Sequence, residues 1–161
     1  MAKRVDKPIR LHLVTIFIVI AYGVLPLVSA IPFDGRYLLL GPIFLPYNGS
    51  VQMLYGPDGD VSLLLLLVTL VLSFFSVGSA IVAFFGVSEG RTAALTFITL
   101  DVAWWAFLVI SAVMFAGDRT DIVIHAIPEL AIPPVWLAVI WWNYTRPDIS
   151  AWLLYTSEVN F

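Results

Sequence analysis

Cysteine is absent from the 161 residues of the chain, which excludes disulfide bonds, thiolate metal sites, iron–sulfur clusters and catalysis by a thiol. Charged residues are scarce, at 12% of the sequence, whereas an ordinary soluble domain has ~25%. The formal net charge is -3, so the chain lacks the basic surface that nucleic-acid binding requires. These shortages exclude a water-soluble globular domain and a nucleic-acid-binding protein.

Apolar residues are abundant instead, at 61% of the sequence, and they form long runs. A bilayer core of ~30 Å is crossed by ~20 apolar residues in a helix. We therefore predict an all-α integral membrane protein, a four-helix bundle in which residues 1–161 form one membrane domain. The four transmembrane helices are predicted at residues 11–30, 61–87, 92–116 and 122–144.

The basic residues indicate how this predicted bundle lies in the membrane. Positively charged residues next to short loops are retained on the cytoplasmic side. One side of the bundle would carry Lys3, Arg4, Lys7, Arg10, Arg91 and Arg146, and the other side Arg36 and Arg119. Both termini are thus predicted to be cytoplasmic, in a multi-pass protein of a bacterial or archaeal plasma membrane.

A second interpretation applies to residues 1–30. A basic stretch, an apolar run and the small residues Val28-Ser29-Ala30 also resemble a cleavable secretory signal. The apolar run is longer than the ~7–15 residues usual in a signal peptide, which favours a retained span. Cleavage would leave three spans.

Two segments lie outside the predicted spans. The outer segment, residues 31–60, is rich in apolar and aromatic residues, but glycine and proline prevent a continuous spanning helix there. Its apolar side must be covered by the bundle, by the headgroup region or by a partner. The tail, residues 146–161, carries Trp152 and Tyr155 with few charges, and we predict a short helix along the cytoplasmic interface.

The second span carries small residues along one helix face, at steps of three or four residues. In lipid, small residues on one face let another helix approach closely, so we predict that this stripe is a helix-packing surface. A substrate path lined by its hydroxyl groups is the alternative. The stripe consists of Thr69, Ser73, Ser76, Ala80 and Ala83.

Ionisable residues inside the spans are the strongest indication of a polar site, since each costs ~2.5–3.5 kcal/mol to insert at bilayer depth. Asp101 lies in the third span and Glu129 in the fourth. His125 lies one turn from Glu129 on the same helix face, where an imidazole and a carboxyl group can share a proton. Asp101, His125 and Glu129 form the candidate intramembrane polar site.

The two acids are expected to be separate stations rather than one pair. In antiparallel spans ~36 Å long, their depths would differ by ~11 Å. A path for protons or cations through His125 and Glu129 to Asp101 is one interpretation. The structural interpretation is that both acids are neutral and hydrogen-bonded inside the bundle.

Three prolines, Pro128, Pro133 and Pro134, are predicted to break the fourth span. Pro133 has no N–H to donate, so the backbone carbonyl of Glu129, four residues earlier, loses its usual partner. The predicted face of the fourth span therefore presents His125, Glu129 and an unpaired carbonyl.

No cofactor and no metal site is predicted. Haem ligation by two histidines needs both at matching depth, whereas His12 and His125 lie at opposite ends of the predicted bundle. His125 and Glu129 supply only two ligands to a metal ion, and a two-residue match of this kind is common by chance.

The sequence carries no hydrolase elbow, phosphate-binding glycine loop or kinase motif. Our first hypothesis is therefore a non-catalytic small membrane subunit or accessory protein, which contacts membrane lipid and packs against a larger complex or against its own copies. The alternative hypothesis is a small proton- or ion-coupled transporter that uses Asp101 and Glu129. A second alternative is an intramembrane lipid-modifying enzyme that uses His125 and Glu129, although no nucleophile accompanies them.

Overall fold

The computed structural model describes residues 6–25, 27, 60–115, 117–118 and 120–159, and within these it describes no side chains for residues 60–66 and 157–159. The predicted outer segment lies outside the described residues except for Asp60. Residues 28–30, the end of the predicted first span, also lie outside them.

The described residues form helices and no strands. Helix α1 spans Ile9–Ile18 and continues as a π-helical segment, Val19–Val24. The other helices are α2 (Asp60–Phe84), α3 (Ser88–Met114), α4 (Thr120–Tyr144) and α5 (Pro147–Val159). The prediction of an all-helical chain is confirmed for this part of the protein.

Three helices, α2, α3 and α4, are long and apolar enough to cross a membrane, and Ile9–Val24 is a shorter apolar helix. Their outward side chains are large and apolar: Phe74 is 74% exposed, Phe107 60% and Met114 76%. So much exposed hydrocarbon would be unfavourable in water and is the expected surface of a protein in lipid. These features are those of an integral membrane protein.

The fourth span is not broken by its prolines, and that expectation is wrong. Helix α4 is continuous through Pro128, Pro133 and Pro134. Each proline removes one backbone donor, but neighbouring helices hold the remaining turns, which is why transmembrane helices tolerate proline better than soluble helices do.

The helices form a ring in which α1 and α3 each pack against both α2 and α4. The rings of Phe17 on α1 and Trp136 on α4 lie with centroids 5.0 Å apart, which closes the ring of helices between α1 and α4. The small-residue stripe of α2 lies inside this bundle. Its five members are all buried: Thr69, Ser73, Ser76, Ala80 and Ala83.

Helices α2 and α3 form a tight antiparallel hairpin, and they approach most closely near their connection. A Cβ atom added at Gly90 would collide with the backbone nitrogen of Ala83 and would lie 2.9 Å from the carbonyl oxygen of Ser79. Farther along the hairpin, the rings of Phe75 and Phe97 stack at 5.0 Å. Glycine at position 90 therefore permits the backbone contact that fixes the register of the two helices.

Helix α5 docks beneath the bundle, against α3 and α4. Its buried residues Ile149, Trp152 and Leu153 belong to the core that α1 to α4 share at this end. The Thr156 hydroxyl lies 3.2 Å from the carbonyl oxygen of Gly86 in the α2–α3 turn, and the Lys7 ammonium lies 3.0 Å above the ring of Phe84. The tail is thus a helix that packs against the end of the bundle at the α2–α3 turn.

We predict that Ala80→Leu lowers the thermal stability of the solubilised protein, because Ala80 is completely buried. Extra methylene groups in a packed interface cost ~1–3 kcal/mol. The matched control is Ala103→Leu, at an exposed position of α3, where the same change should leave the melting temperature unaltered. Equal melting temperatures for the two variants would contradict the packing described for α2.

Candidate functional site

Asp101 lies in the interior of the bundle at the level of Ser73. Gly90 of α3 lies against Ala83 of α2. Asp101 is eleven residues after Gly90, and Ser73 is ten residues before Ala83. In an antiparallel pair this places the two residues within ~1.5 Å of the same depth. Asp101 is 1% exposed and Ser73 3% exposed, so both side chains are removed from the membrane surface.

Tyr22 adjoins this level from the first helix. It lies in the π-helical segment, is fully buried, and its phenol is within electrostatic range of the Asp101 carboxyl group. The neighbouring Gly23 allows α1 to approach α2, since a Cβ there would lie 3.2 Å from a methyl group of Val77. We call Tyr22, Ser73 and Asp101 the polar layer.

The polar layer contains hydrogen-bonding capacity that the described residues do not use. The Tyr22 hydroxyl, the Ser73 hydroxyl and Oδ1 of Asp101 are buried without a hydrogen-bond partner in the described part of the chain. Tyr22 and Ser73 also line a cavity of about 130 Å³, whose remaining walls are apolar and include Leu27, Leu70 and Phe74. Buried polar groups are costly without partners, so these groups distinguish the polar layer from the apolar core around it.

Glu129 lies one helical turn away in depth. It is nine residues after Thr120, where α4 begins, and Trp105 is nine residues before Met114, where α3 ends. In the α3–α4 hairpin, Glu129 and Trp105 are therefore level, and Asp101 lies four residues or ~6 Å deeper. Glu129 is 3% exposed and is engaged in a polar interaction within the protein.

This separation in depth is smaller than the ~11 Å expected from idealised spans. The sequence estimate measured each acid from the opposite end of spans of equal length. Counting from the shared α3–α4 hairpin is the better measure, because the hairpin and the cluster of Trp105, Ala112, Ile122 and Ala126 pair the two helices. The two acids thus lie about one helical turn apart in depth.

His125 does not share the environment of Glu129. The His125 side chain is exposed, whereas Glu129 is buried. The two residues lie one turn apart on the same helix, so the exposed imidazole and the buried carboxyl group differ in their surroundings rather than in helix face. Of the three candidate residues, Asp101 and Glu129 are buried and His125 is exposed.

Sequence reasoning missed two members of this interior. Tyr22 is a single tyrosine within an apolar run, and Trp105 belongs to a pair of tryptophans that looks like ordinary lipid-facing surface. The indole Nε1 of Trp105 is buried with no hydrogen-bond partner among the described residues. Only the rotation of each helix, which packing decides, shows that these groups face inward.

The side chains gathered in this interior carry carboxyl, hydroxyl and indole groups. Among the residues that the structure describes, no group of three His, Asp or Glu side chains could hold a metal ion. Carboxyl and hydroxyl groups in a low-dielectric interior can accept and donate protons or hydrogen-bond water.

No family model, curated protein or solved structure matches the chain.

We predict that Glu129→Gln folds almost normally, because glutamine keeps the shape and hydrogen-bonding capacity of a protonated carboxyl group. The measurement is the thermal unfolding of the detergent-solubilised variant against wild type. Glu89→Gln, at an exposed acid of the same bundle, is the control.

An ionised Glu129 would give a different result. The same substitution would then leave a partner unpaired, at a cost of ~1–3 kcal/mol. The prediction that Glu129 is protonated would be overturned by two results together. These are an infrared carboxylate band at neutral pH that disappears in Glu129→Gln, and a lower stability of that variant.

Proposed function

We propose that the chain crosses the membrane four times with both termini in the cytoplasm, in a bacterial or archaeal plasma membrane. The charged side chains at the two ends of the bundle support this orientation. Lys7, Arg10, Arg91 and Arg146 lie at the end where α5 docks, and Asp118 and Asp121 lie near the opposite, α3–α4 connection. Basic residues are retained on the cytoplasmic side of short loops.

We propose that the protein is a non-catalytic small membrane subunit that packs, through one outer face, against a transmembrane helix of a larger membrane complex. The observation that supports this proposal is a groove of about 310 Å³ on the outside of the α2–α3 hairpin. Its floor consists of small residues, Gly78, Ser79 and Ala93, and its wall of Phe74 and Phe75.

The shape of this α2–α3 groove suits a helix. A Cβ atom at Gly78 would meet nothing within 4 Å, so the backbone of α2 is accessible from outside the bundle. In lipid, helices associate through close van der Waals contact at small residues, because apolar burial gives no net advantage there. The bulky side chains of Phe74 and Phe75 beside the small-residue floor provide a wall for such contact.

One end of the groove adds a polar feature. Glu89 lies there, exposed, and its carboxylate accepts a hydrogen bond of 2.9 Å from the Ser88 hydroxyl. An acid at the end of a transmembrane groove can pair with a basic residue that flanks a partner helix at the headgroup level. The proposal therefore specifies a partner helix with Lys or Arg at that end.

Site-specific photo-crosslinking tests this proposal in native membranes. A benzoylphenylalanine at Val82, which lines the groove, should crosslink to one other membrane protein in fixed stoichiometry. The matched control places the same probe at Val135, an exposed position of α4, and should yield lipid adducts only. Gly78→Leu, which fills the groove, should abolish the crosslink at Val82 and reduce the mass of the native complex.

Three results would contradict this function. They are a protein that purifies alone as a monomer after crosslinking, a crosslink only to a second copy of the chain, and equal crosslinking at Val82 and Val135. Because Gly78 faces open space, Gly78→Leu should retain the wild-type melting temperature, which separates loss of docking from loss of folding.

A second function, a small proton-coupled carrier, is supported by the buried acids. Asp101 and Glu129 lie about one helical turn apart in depth, and the Tyr22 hydroxyl, which has no hydrogen-bond partner among the described residues, is within electrostatic range of Asp101. A proton path through a membrane protein needs closely spaced titratable groups. Oligomers would be needed to enclose a larger substrate, because four helices surround little volume.

Flux measurements in proteoliposomes test the carrier. If the function is correct, an imposed pH gradient should drive proton uptake that Asp101→Asn abolishes, since the amide cannot exchange a proton at this depth. Asp118→Asn, at an exposed acid near the α3–α4 connection, should transport normally. Equal uptake by wild type, Asp101→Asn and empty vesicles would dispose of this function.

A further inference from the structure

A second groove lies on the outside of the bundle, at the end that carries the basic residues, and it is independent of the function proposed above. It has a volume of about 600 Å³ and is formed by α3, the end of α4 and the start of α5. Its lining includes Arg91, Thr96, Trp141, Thr145 and Ser150. We call it the Arg91 groove.

Arg91 supplies the charge of this groove. Its Nη1 donates a hydrogen bond of 2.8 Å to the Ser150 hydroxyl and one of 3.5 Å to the carbonyl oxygen of Tyr144. Both acceptors are neutral, and within the described part of the chain both bonds use the same nitrogen. A guanidinium has five N–H donors, so the donors on Nη2 and Nε are left for an anionic ligand.

The rest of the groove is apolar in character although it is lined by threonine. The Thr96 hydroxyl donates to the Thr92 carbonyl at 2.9 Å, and the Thr99 hydroxyl donates to the Leu95 carbonyl at 2.6 Å. A hydroxyl that bonds its own helix can lie in hydrocarbon without an unpaired donor. The groove can therefore present methyl groups and the Trp141 ring to an apolar chain.

The dimensions of the groove match a molecule with a charged head and a long tail. Arg91 lies three residues after the start of α3, and Thr99 lies eight residues farther along the helix, which is ~12 Å deeper. One end of the groove is thus at the headgroup level and the other among the acyl chains. The Arg146 guanidinium, 4.9 Å above the Trp142 ring, adds positive charge at the same end.

We propose that the Arg91 groove binds an anionic phospholipid, whose phosphate contacts Arg91 and one of whose acyl chains lies along Thr96, Thr99 and Trp141. The charge favours a lipid with net negative charge, such as phosphatidylglycerol, over phosphatidylcholine, whose choline group opposes the approach of its phosphate to arginine. Tryptophan and arginine together are typical of the headgroup boundary. A partner helix fits this groove less well than the α2–α3 groove, because threonine and arginine replace the glycine and alanine floor.

Native mass spectrometry of the full chain, released from nanodiscs with equal amounts of phosphatidylglycerol and phosphatidylcholine, tests this site. Wild type should retain one phosphatidylglycerol per chain in preference to phosphatidylcholine. Arg91→Gln should lower this preference by about tenfold, the change that corresponds to losing one charge-assisted hydrogen bond. Arg10→Gln removes the same charge at an exposed position near the same end and should retain the wild-type preference.

A second pair of variants keeps the proposal testable if Arg91→Gln does not fold. Thr96→Phe fills the apolar part of the groove at an exposed position and should reduce the retention of phosphatidylglycerol while Arg91 is intact. Leu13→Phe, exposed on α1, adds an aromatic ring outside the groove and should change nothing. Equal retention of the two lipids by wild type, or equal effects of Thr96→Phe and Leu13→Phe, would overturn the proposal.

Discussion

The close approach of α2 and α3 is the contact on which the rest of the bundle depends. Gly90 lies against the backbone of Ala83, and the buried face between the two helices is made of small residues such as Ser76 and Ala80. Because lipid is as apolar as leucine, burial does not drive these helices together, and van der Waals contact between backbones must do so. A contact of this kind tolerates no larger side chain, and it therefore fixes both the spacing and the register of the hairpin.

The register has a chemical consequence inside the bundle. It brings Ser73 to the level of Asp101, while the approach of α1 at Gly23 adds Tyr22 from a third helix. Three polar groups from distant parts of the sequence thus share one low-dielectric layer, next to a cavity of about 130 Å³. Glu129 follows one turn away, held by a polar interaction of its own. Asp101 thus has a carboxyl oxygen, Oδ1, without a hydrogen-bond partner among the described residues. Glu129, by contrast, already interacts with another group of the protein.

The outer surface of the bundle also has regions of different chemistry. The α2–α3 groove has a floor of glycine, serine and alanine, which favours the backbone of another helix. The Arg91 groove has a cation at one end and self-bonded threonines below it, which favours a lipid with an anionic head. Elsewhere the exposed positions carry Phe, Ile and Met, which need only fluid hydrocarbon as neighbours. Two grooves of different chemistry and an apolar surface thus lie on a single small bundle.

Properties of single helices could be predicted from the sequence, since hydropathy and a 3.6-residue period are local. Hydropathy indicated the three long helices, and periodicity indicated the stripe that includes Ser73 and Ala80. The insertion cost of a charge marked Asp101 and Glu129 as residues of interest. Which way each helix is rotated and how neighbouring helices are aligned were decided only by the tertiary structure, because both depend on packing between residues far apart in sequence. The rotation and alignment of the helices leave His125 exposed and Glu129 buried. They also place Tyr22 within electrostatic range of Asp101. They also form both grooves.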